Sequence, residues 1–169
     1  MTNNKRQIAN KVKINKAKKE DIPAIVKVAS ACFRGMKDFK KAKKWINCNF
    51  KAFPRTQYFV AKYNQLVLGY ILWMEKGGFR KKAVIELEQI AVLPDFQNKE
   101  IGGKIIKESL KEIKKYLKKR ESKLKLIEIS TGTTNKAQRL YKKTLNAKVK
   151  AVIKDLFRGD EVIMIARFS

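Results

Sequence analysis

The stretch that decides the fold is Glu88-Gln-Ile-Ala-Val-Leu-Pro-Asp-Phe-Gln-Asn-Lys-Glu-Ile-Gly-Gly-Lys-Ile-Ile106. Its apolar residues through Val92 read as a strand, and Pro94-Asp95 reads as a turn. A loop led by Gln97-Asn98-Lys99-Glu100 then opens a helix at Ile101-Gly102-Gly103-Lys104. Main-chain amides at a helix start lack intrahelical partners, and the helix dipole favours an anion there. Gly102 and Gly103 carry no Cβ and allow a ligand close to the backbone. Gln97 to Lys104 is therefore a candidate phosphate cradle. A plain strand-to-helix turn is the alternative on local evidence alone.

Outward from this stretch, the 169 residues suit one domain able to bury a core without staples. No apolar run is long enough to span a bilayer. The lysine-rich N-terminus lacks the apolar core of a secretory signal. Cys32 and Cys48 show no metal-ligand spacing and read as reduced thiols. The expected location is the cytoplasm. Basic residues number 41 against 15 acidic, a net charge of +26, and histidine is absent. Proton chemistry must then use carboxylates, tyrosine, cysteine, lysine or water. So positive a chain attracts polyanions such as coenzyme A, RNA or ribosomes and disfavours a polyamine substrate.

Residues 1–11 read as a basic, flexible arm, and 12–169 as a single domain. Val12 to Ala17 alternates as a first strand. A helix follows from Asp21, its possible cap, through Phe33, with Pro23 in the first turn. A second helix spans about Lys40 to Phe50. Strands are expected at Tyr58 to Tyr63, Val67 to Met74 and Val84 to Leu93, with Asn64-Gln65 and Gly77-Gly78 as breaks. The helix from Ile101 to about Arg120 buries Ile101, Ile105, Ile106, Leu110, Ile113 and Leu117, and its lysines read as a solvated face. A strand at Leu124 to Ile129, a helix capped by Asn135, and strands at Ala147 to Phe157 and Glu161 to Phe168 complete the chain. The order β-α-α-β-β-β-α-β-α-β-β predicts a mixed α/β sheet with helices on both faces.

Two motifs in that order give a resemblance. Gln97 with Gly102, preceded by Val92 and Pro94, resembles the Gln/Arg-x-x-Gly-x-Gly/Ala coenzyme motif of GNAT superfamily N-acetyltransferases. Asn135-Lys-Ala-Gln-Arg-Leu-Tyr141 is similar to the family's Asn-x-x-Ala-x-x-Leu-Tyr helix, one residue shorter before Leu140. The element order matches that fold from about Val12 to Phe168. Two departures stand out: Glu100 occupies the first glycine place, where a carboxylate would repel a diphosphate unless it points away, and Leu145-Asn146-Ala147 replaces a Gly-Phe pair. Asn146 is expected to take the left-handed cap role of that glycine. The resemblance implies acetyl-CoA as cosubstrate and no metal. It implies transfer to a primary amine of a small molecule or protein by direct attack in a ternary complex. It further implies that Ile90, Ala91 and Val92 pair with the pantetheine arm, that Asn135 contacts that arm, and that Tyr141 assists the departing thiolate. Ser130 stands where some relatives acting on protein N-termini carry a glutamate, with Glu128 on the same face able to compensate.

Glu86 and Glu88 share one face of their strand with Val84, Ile90 and Val92. Two carboxylates on an otherwise apolar face either pair with lysines or serve as a general base. Both remain candidates, with Glu88 nearer the loop. Tyr141 reads either as this leaving-group residue or as a tyrosine packed on the sheet. Cys32 and Cys48 lack a histidine to activate them as nucleophiles. Trp45, Phe50, Phe53 and Phe157 are acceptor-pocket or core residues. The second functional reading is a basic nucleic-acid- or ribosome-binding module on the same fold, with weak or no catalysis. A monomer or a homodimer fits either reading.

Overall fold

Four segments of alternating or continuous apolar residues place four strands side by side between Lys13 and Val92. The computed structural model describes residues 9–168. Residues 9–11 are helical and Ala9 is buried, while the remainder of the expected arm, residues 1–8, lies outside the described residues. The chain then forms β1 (Lys13–Lys16), α1 (Ile22–Cys32), α2 (Phe39–Lys51), β2 (Thr56–Tyr63), β3 (Leu66–Lys76), β4 (Lys82–Val92) and α3 (Ile101–Lys119). It ends with β5 (Lys123–Gly132), α4 (Ala137–Leu145), β6 (Lys148–Ile153) and β7 (Glu161–Arg167). The seven strands run in the order β1-β2-β3-β4-β5-β7-β6. β4 and β5 are parallel, joined by α3, and pair Ile85 with Ile127 and Glu86 with Glu128. β1 with β2, and β7 with both β5 and β6, are antiparallel.

The chain divides into two compact units, the first running to Trp73 and including Gln89–Leu110, the second holding Met74–Glu88 and Lys111 onward. In the first unit, Tyr70 and Leu72 join a core with Ile22, Ile25, Val26, Ala29 and Ile46 from α1 and α2. The alternate residues of β3 face α3. Trp73 donates its indole N–H to the Ser109 hydroxyl at 2.8 Å. A Cβ at Gly69 would lie 2.6 Å from the Ala91 carbonyl oxygen and 3.2 Å from Ile105, so only glycine admits that approach. Helices thus cover both faces, as expected for this class. In the second unit, Ile127, Ile129, Val162, Met164 and Ala166 are buried by alternation on β5 and β7. Glu75 is buried there in a salt bridge with Arg120.

Several expected boundaries shift for identifiable reasons. The helix expected behind Asp21 does start at Ile22 with Asp21 in the cap position, but the Asp21 carboxylate takes the Lys18 amide and pairs with Lys62 at 2.5 Å rather than bonding the helix's own amides. α2 is capped instead by Asp38, whose side chain accepts from the amides of Lys40 and Lys41. The strand expected to reach Phe157 stops at Ile153, and Leu156 and Phe157 lie exposed beyond it. Asn146 adopts the left-handed cap conformation, φ 52°, with its N–H on the Lys142 carbonyl.

Candidate active site

The coenzyme-loop residues all belong to the first unit. After Val92, Pro94–Phe96 form a single 3-10 turn whose last amides close back on Leu93 and Pro94. Gln97 follows in extended conformation and donates its side-chain amide to the Val92 carbonyl at 2.9 Å. The Cys32 thiol donates to that same carbonyl at 3.3 Å. Burial pushes the Cys32 thiol up, against a smaller downward pull from the Lys37 ammonium. The strand end expected to pair with pantetheine therefore has its Val92 oxygen already engaged.

Asn98 and Glu100 both take the left-handed backbone region, φ 58° and 61°. Asparagine tolerates that region, whereas glutamate pays strain there. The position where the resembling motif has glycine is thus one whose backbone favours glycine. Glu100 itself is exposed. Lys104 donates the first intrahelical bond, to the Glu100 carbonyl at 3.1 Å. Ahead of it, the amides of Asn98, Lys99, Glu100, Ile101, Gly102 and Gly103 donate to nothing among the described residues. That run of open donors, with two glycines among them, fits a diphosphate. The two lysines are already engaged. Lys99 donates to the Asp95 carbonyl and lies over the Phe96 ring. Lys104 reaches the Ala9 carbonyl at 2.9 Å, with Glu108 at 3.9 Å.

Glu86, Glu88, Asn135 and Tyr141 belong to the second unit. Lys76, the last residue of β3, contacts Glu86 at 3.2 Å and Glu128 at 2.8 Å. Glu88 joins no ion pair among the described residues. Burial raises its carboxyl above the usual range; the Glu86 charge adds to this and Lys76 offsets part of it. Lys76 is held above its usual value because its two carboxylate partners outweigh the opposing effect of burial. The Ser130 hydroxyl, on the Glu128 face of β5, is buried without a partner among the described residues.

Asn135 does not sit at the helix cap itself, since Lys136 precedes α4, yet its side chain serves the same end. Its oxygen accepts from the Ala137 amide and its nitrogen donates to Thr131, both at 2.9 Å. One amide hydrogen remains for a ligand. Tyr141 is buried, its phenol is pushed up to about 12 by that burial, and its hydroxyl makes no hydrogen bond among the described residues.

Of the aromatic candidates for an acceptor pocket, Trp45, Phe53 and Phe157 are exposed and Phe50 packs against the first unit's core. Phe50 and Phe53 line a cavity of about 230 Å³ with Lys16, Ala17, Thr56, Gln57 and Tyr58. Both cysteines are free thiols. No helix among the described residues is long and apolar enough to cross a membrane. Among the same residues no cluster of metal-ligand types is disposed around a site. Lys76 escaped sequence reading because nothing distinguishes it among so many lysines; its position at the end of β3, opposite two carboxylate-bearing strands, is the only available signal.

The family model of the GNAT acetyltransferase domain matches residues 54–144. The chain belongs to the GNAT acetyltransferases. This GNAT chain is 28% identical over 153 residues to an uncharacterised N-acetyltransferase of Methanocaldococcus jannaschii; the match covers 86% of the chain and 64% of that relative's length. Its fold is similar to that of Ard1 from Thermoplasma volcanium, with a TM-score of 0.75 at 15% identity, covering 94% of the chain and 99% of that structure. A GNAT family acetyltransferase from Elizabethkingia anophelis, solved with acetyl-CoA bound, matches with a TM-score of 0.70 at 18% identity over 94% of the chain and 99% of that structure.

Proposed function

We propose that this chain is an acetyl-CoA-dependent N-acetyltransferase that uses Glu88 as its general base. The observation that carries the assignment is the unequal state of two neighbouring carboxylates. Glu86 is held by Lys76, whereas Glu88 joins no ion pair among the described residues and its carboxyl is raised above the usual range by burial and by the Glu86 charge. A base works best when its proton affinity lies near the working pH. The sequence alone prefers Glu88 only for its nearness to the loop, and this difference favours the same residue.

The open amides from Asn98 to Gly103 hold the diphosphate of the cosubstrate, and Gln97 braces the loop against the strand end. Acetyl-CoA supplies the activated acetyl group. Glu88 accepts a proton from the acceptor amine as its nitrogen bonds to the acetyl carbon, directly or through water. Tyr141, kept protonated by burial, donates toward the sulfur as the carbon–sulfur bond breaks. Asn135 offers its remaining amide hydrogen to the pantetheine arm.

Direct transfer is favoured over an acyl-enzyme. The Cys32 proton is committed to a carbonyl, burial raises that thiol, and the chain has no histidine to activate it. The acceptor is a primary amine of a small molecule or protein. The net charge of +26 favours a neutral or acidic carrier over a polycation. Two free thiols fit a reducing compartment, and we place the enzyme in the cytoplasm. The test is release of free coenzyme A thiol on mixing protein, acetyl-CoA and a panel of primary amines. Intersecting double-reciprocal lines are expected. Parallel lines, or turnover undiminished in Glu88→Gln, would overturn the mechanism. Calorimetry with no uptake of coenzyme A at millimolar concentration would overturn the enzyme reading.

A further inference from the structure

Three strands bring four charged side chains together in the second unit. Lys76 comes from the end of β3, Glu86 and Glu88 from one face of β4, and Glu128 from β5, directly opposite Glu86 in the parallel register. Glu75, beside Lys76 on β3, faces the other way and is neutralised by Arg120. Lys82, four residues before Glu86, shares that face of β4 at the strand's far end, and among the described residues the ammonium in contact with Glu86 and Glu128 is that of Lys76.

We infer that Lys76 is a positioning residue: by clamping Glu86 and Glu128 it fixes which carboxylate of this face is left to take the acceptor's proton. The inference rests on the reading of Glu88 as the base. Two adjacent carboxylates without a counter-ion share a proton between them and bind it as a pair. The ammonium removes that ambiguity for Glu86, which it meets at 3.2 Å, and for Glu128, at 2.8 Å. The ionised Glu86 then acts on Glu88 as a fixed negative neighbour. Burial raises the proton affinity of Glu88 most; on top of it the Glu86 charge and a hydrogen bond to Glu86 raise it further and the Lys76 charge lowers it.

The arrangement makes removal of either neighbour move Glu88 in opposite directions. Lys76→Met takes away the cation that contacts Glu86 and Glu128, so the pair holds its proton to higher pH. Glu86→Gln takes away the like charge, so Glu88 releases its proton at lower pH. Lys76→Arg keeps the charge and restores the native behaviour. A residue that only supported the fold would not split the two variants in this way.

The experiment pairs carbon-detected NMR titration of the glutamate carboxyls with pH profiles of kcat/KM for wild type, Lys76→Met, Lys76→Arg and Glu86→Gln, with thermal melts confirming that each is folded. The expected result is an acid limb moved to higher pH in Lys76→Met, to lower pH in Glu86→Gln, and back to the wild-type position in Lys76→Arg, with the Glu88 titration moving alongside. An unmoved Glu88 titration in both Lys76→Met and Glu86→Gln overturns the coupling. Titrations that move while the rate profiles stay fixed overturn Glu88 as the base, and with it the role of Lys76. If Lys76→Met does not fold, Lys76→Gln, which also removes the charge and keeps a polar side chain, takes its place: an upward shift there supports the proposal and an unmoved Glu88 titration overturns it.

Discussion

Replacing Glu100 with glycine separates two effects that coincide at one position of the coenzyme loop. The backbone there is left-handed, φ 61°. A residue with a Cβ pays roughly 1–2 kcal/mol in that region, and glycine gives back about 0.5–1 kcal/mol through its freer unfolded chain. The net expectation for Glu100→Gly is a gain of about 1 kcal/mol, which for a chain of this size raises Tm by about 2–4 °C. The second effect is charge. A carboxylate about 6 Å from one diphosphate charge in water costs about 0.7 kcal/mol, or about threefold in affinity. Glu100→Gln removes the charge and keeps the Cβ. It is therefore expected to tighten coenzyme A about threefold by this arithmetic, with no gain in Tm. Glu100→Gly is expected to show both gains. Differential scanning calorimetry reads the first effect and isothermal titration calorimetry with coenzyme A the second. A glycine variant that melts no higher than the glutamine variant refutes the conformational argument. Unchanged affinity in both refutes the placement of the diphosphate against this loop.

Glu88→Gln is expected to lower kcat/KM by about 10²–10⁴ while leaving the protein folded. The Glu88 proton affinity is raised in the folded state, so the ionisable group favours folding below its ordinary value near 4.5 and opposes it as the pH rises through the raised value. Tm profiles of the two proteins should therefore diverge above pH 4.5 in favour of the glutamine variant, and profiles that stay parallel up to neutrality would contradict the burial argument. Gly69→Ala pushes a methyl to 2.6 Å from the Ala91 carbonyl oxygen, and should cost about 1–3 kcal/mol by chemical denaturation; a loss below 0.5 kcal/mol would mean that the strand–helix approach is not tight. Arg120→Met strands the carboxylate of Glu75, whose side chain is only 2% exposed, and should cost about 3–5 kcal/mol. The double variant Glu75→Leu with Arg120→Met should recover most of that loss, and failure to recover it would show that packing rather than an unpaired charge is responsible.

The segment from β4 through the loop to α3 was legible because each joint carries its own chemical mark. Pro94 ends the strand, Gln97 leads the loop, and the apolar period restarts at Ile101. Asn146 was legible because few residues tolerate a left-handed cap. The end of β6 was not, since Ile153, Leu156 and Phe157 look like strand residues by composition alone, yet Leu156 and Phe157 lie beyond the last ladder pair. Glu100 was read from sequence as a matter of charge, while the structure adds a backbone cost invisible without φ. The inequality of Glu86 and Glu88 was out of reach. It depends on where a lysine 10 residues upstream of Glu86 ends its strand, and on the register that sets Glu128 opposite Glu86.

Lys104 carries its ammonium to the backbone oxygen of Ala9, across 95 positions of sequence. The start of the described chain is thereby fastened to the first turn of the helix that opens the coenzyme loop. A truncation that reaches Ala9 is not a neutral choice here, because it removes the carbonyl that holds this lysine. Preparations with and without such a truncation are best compared for coenzyme affinity before their kinetics are pooled.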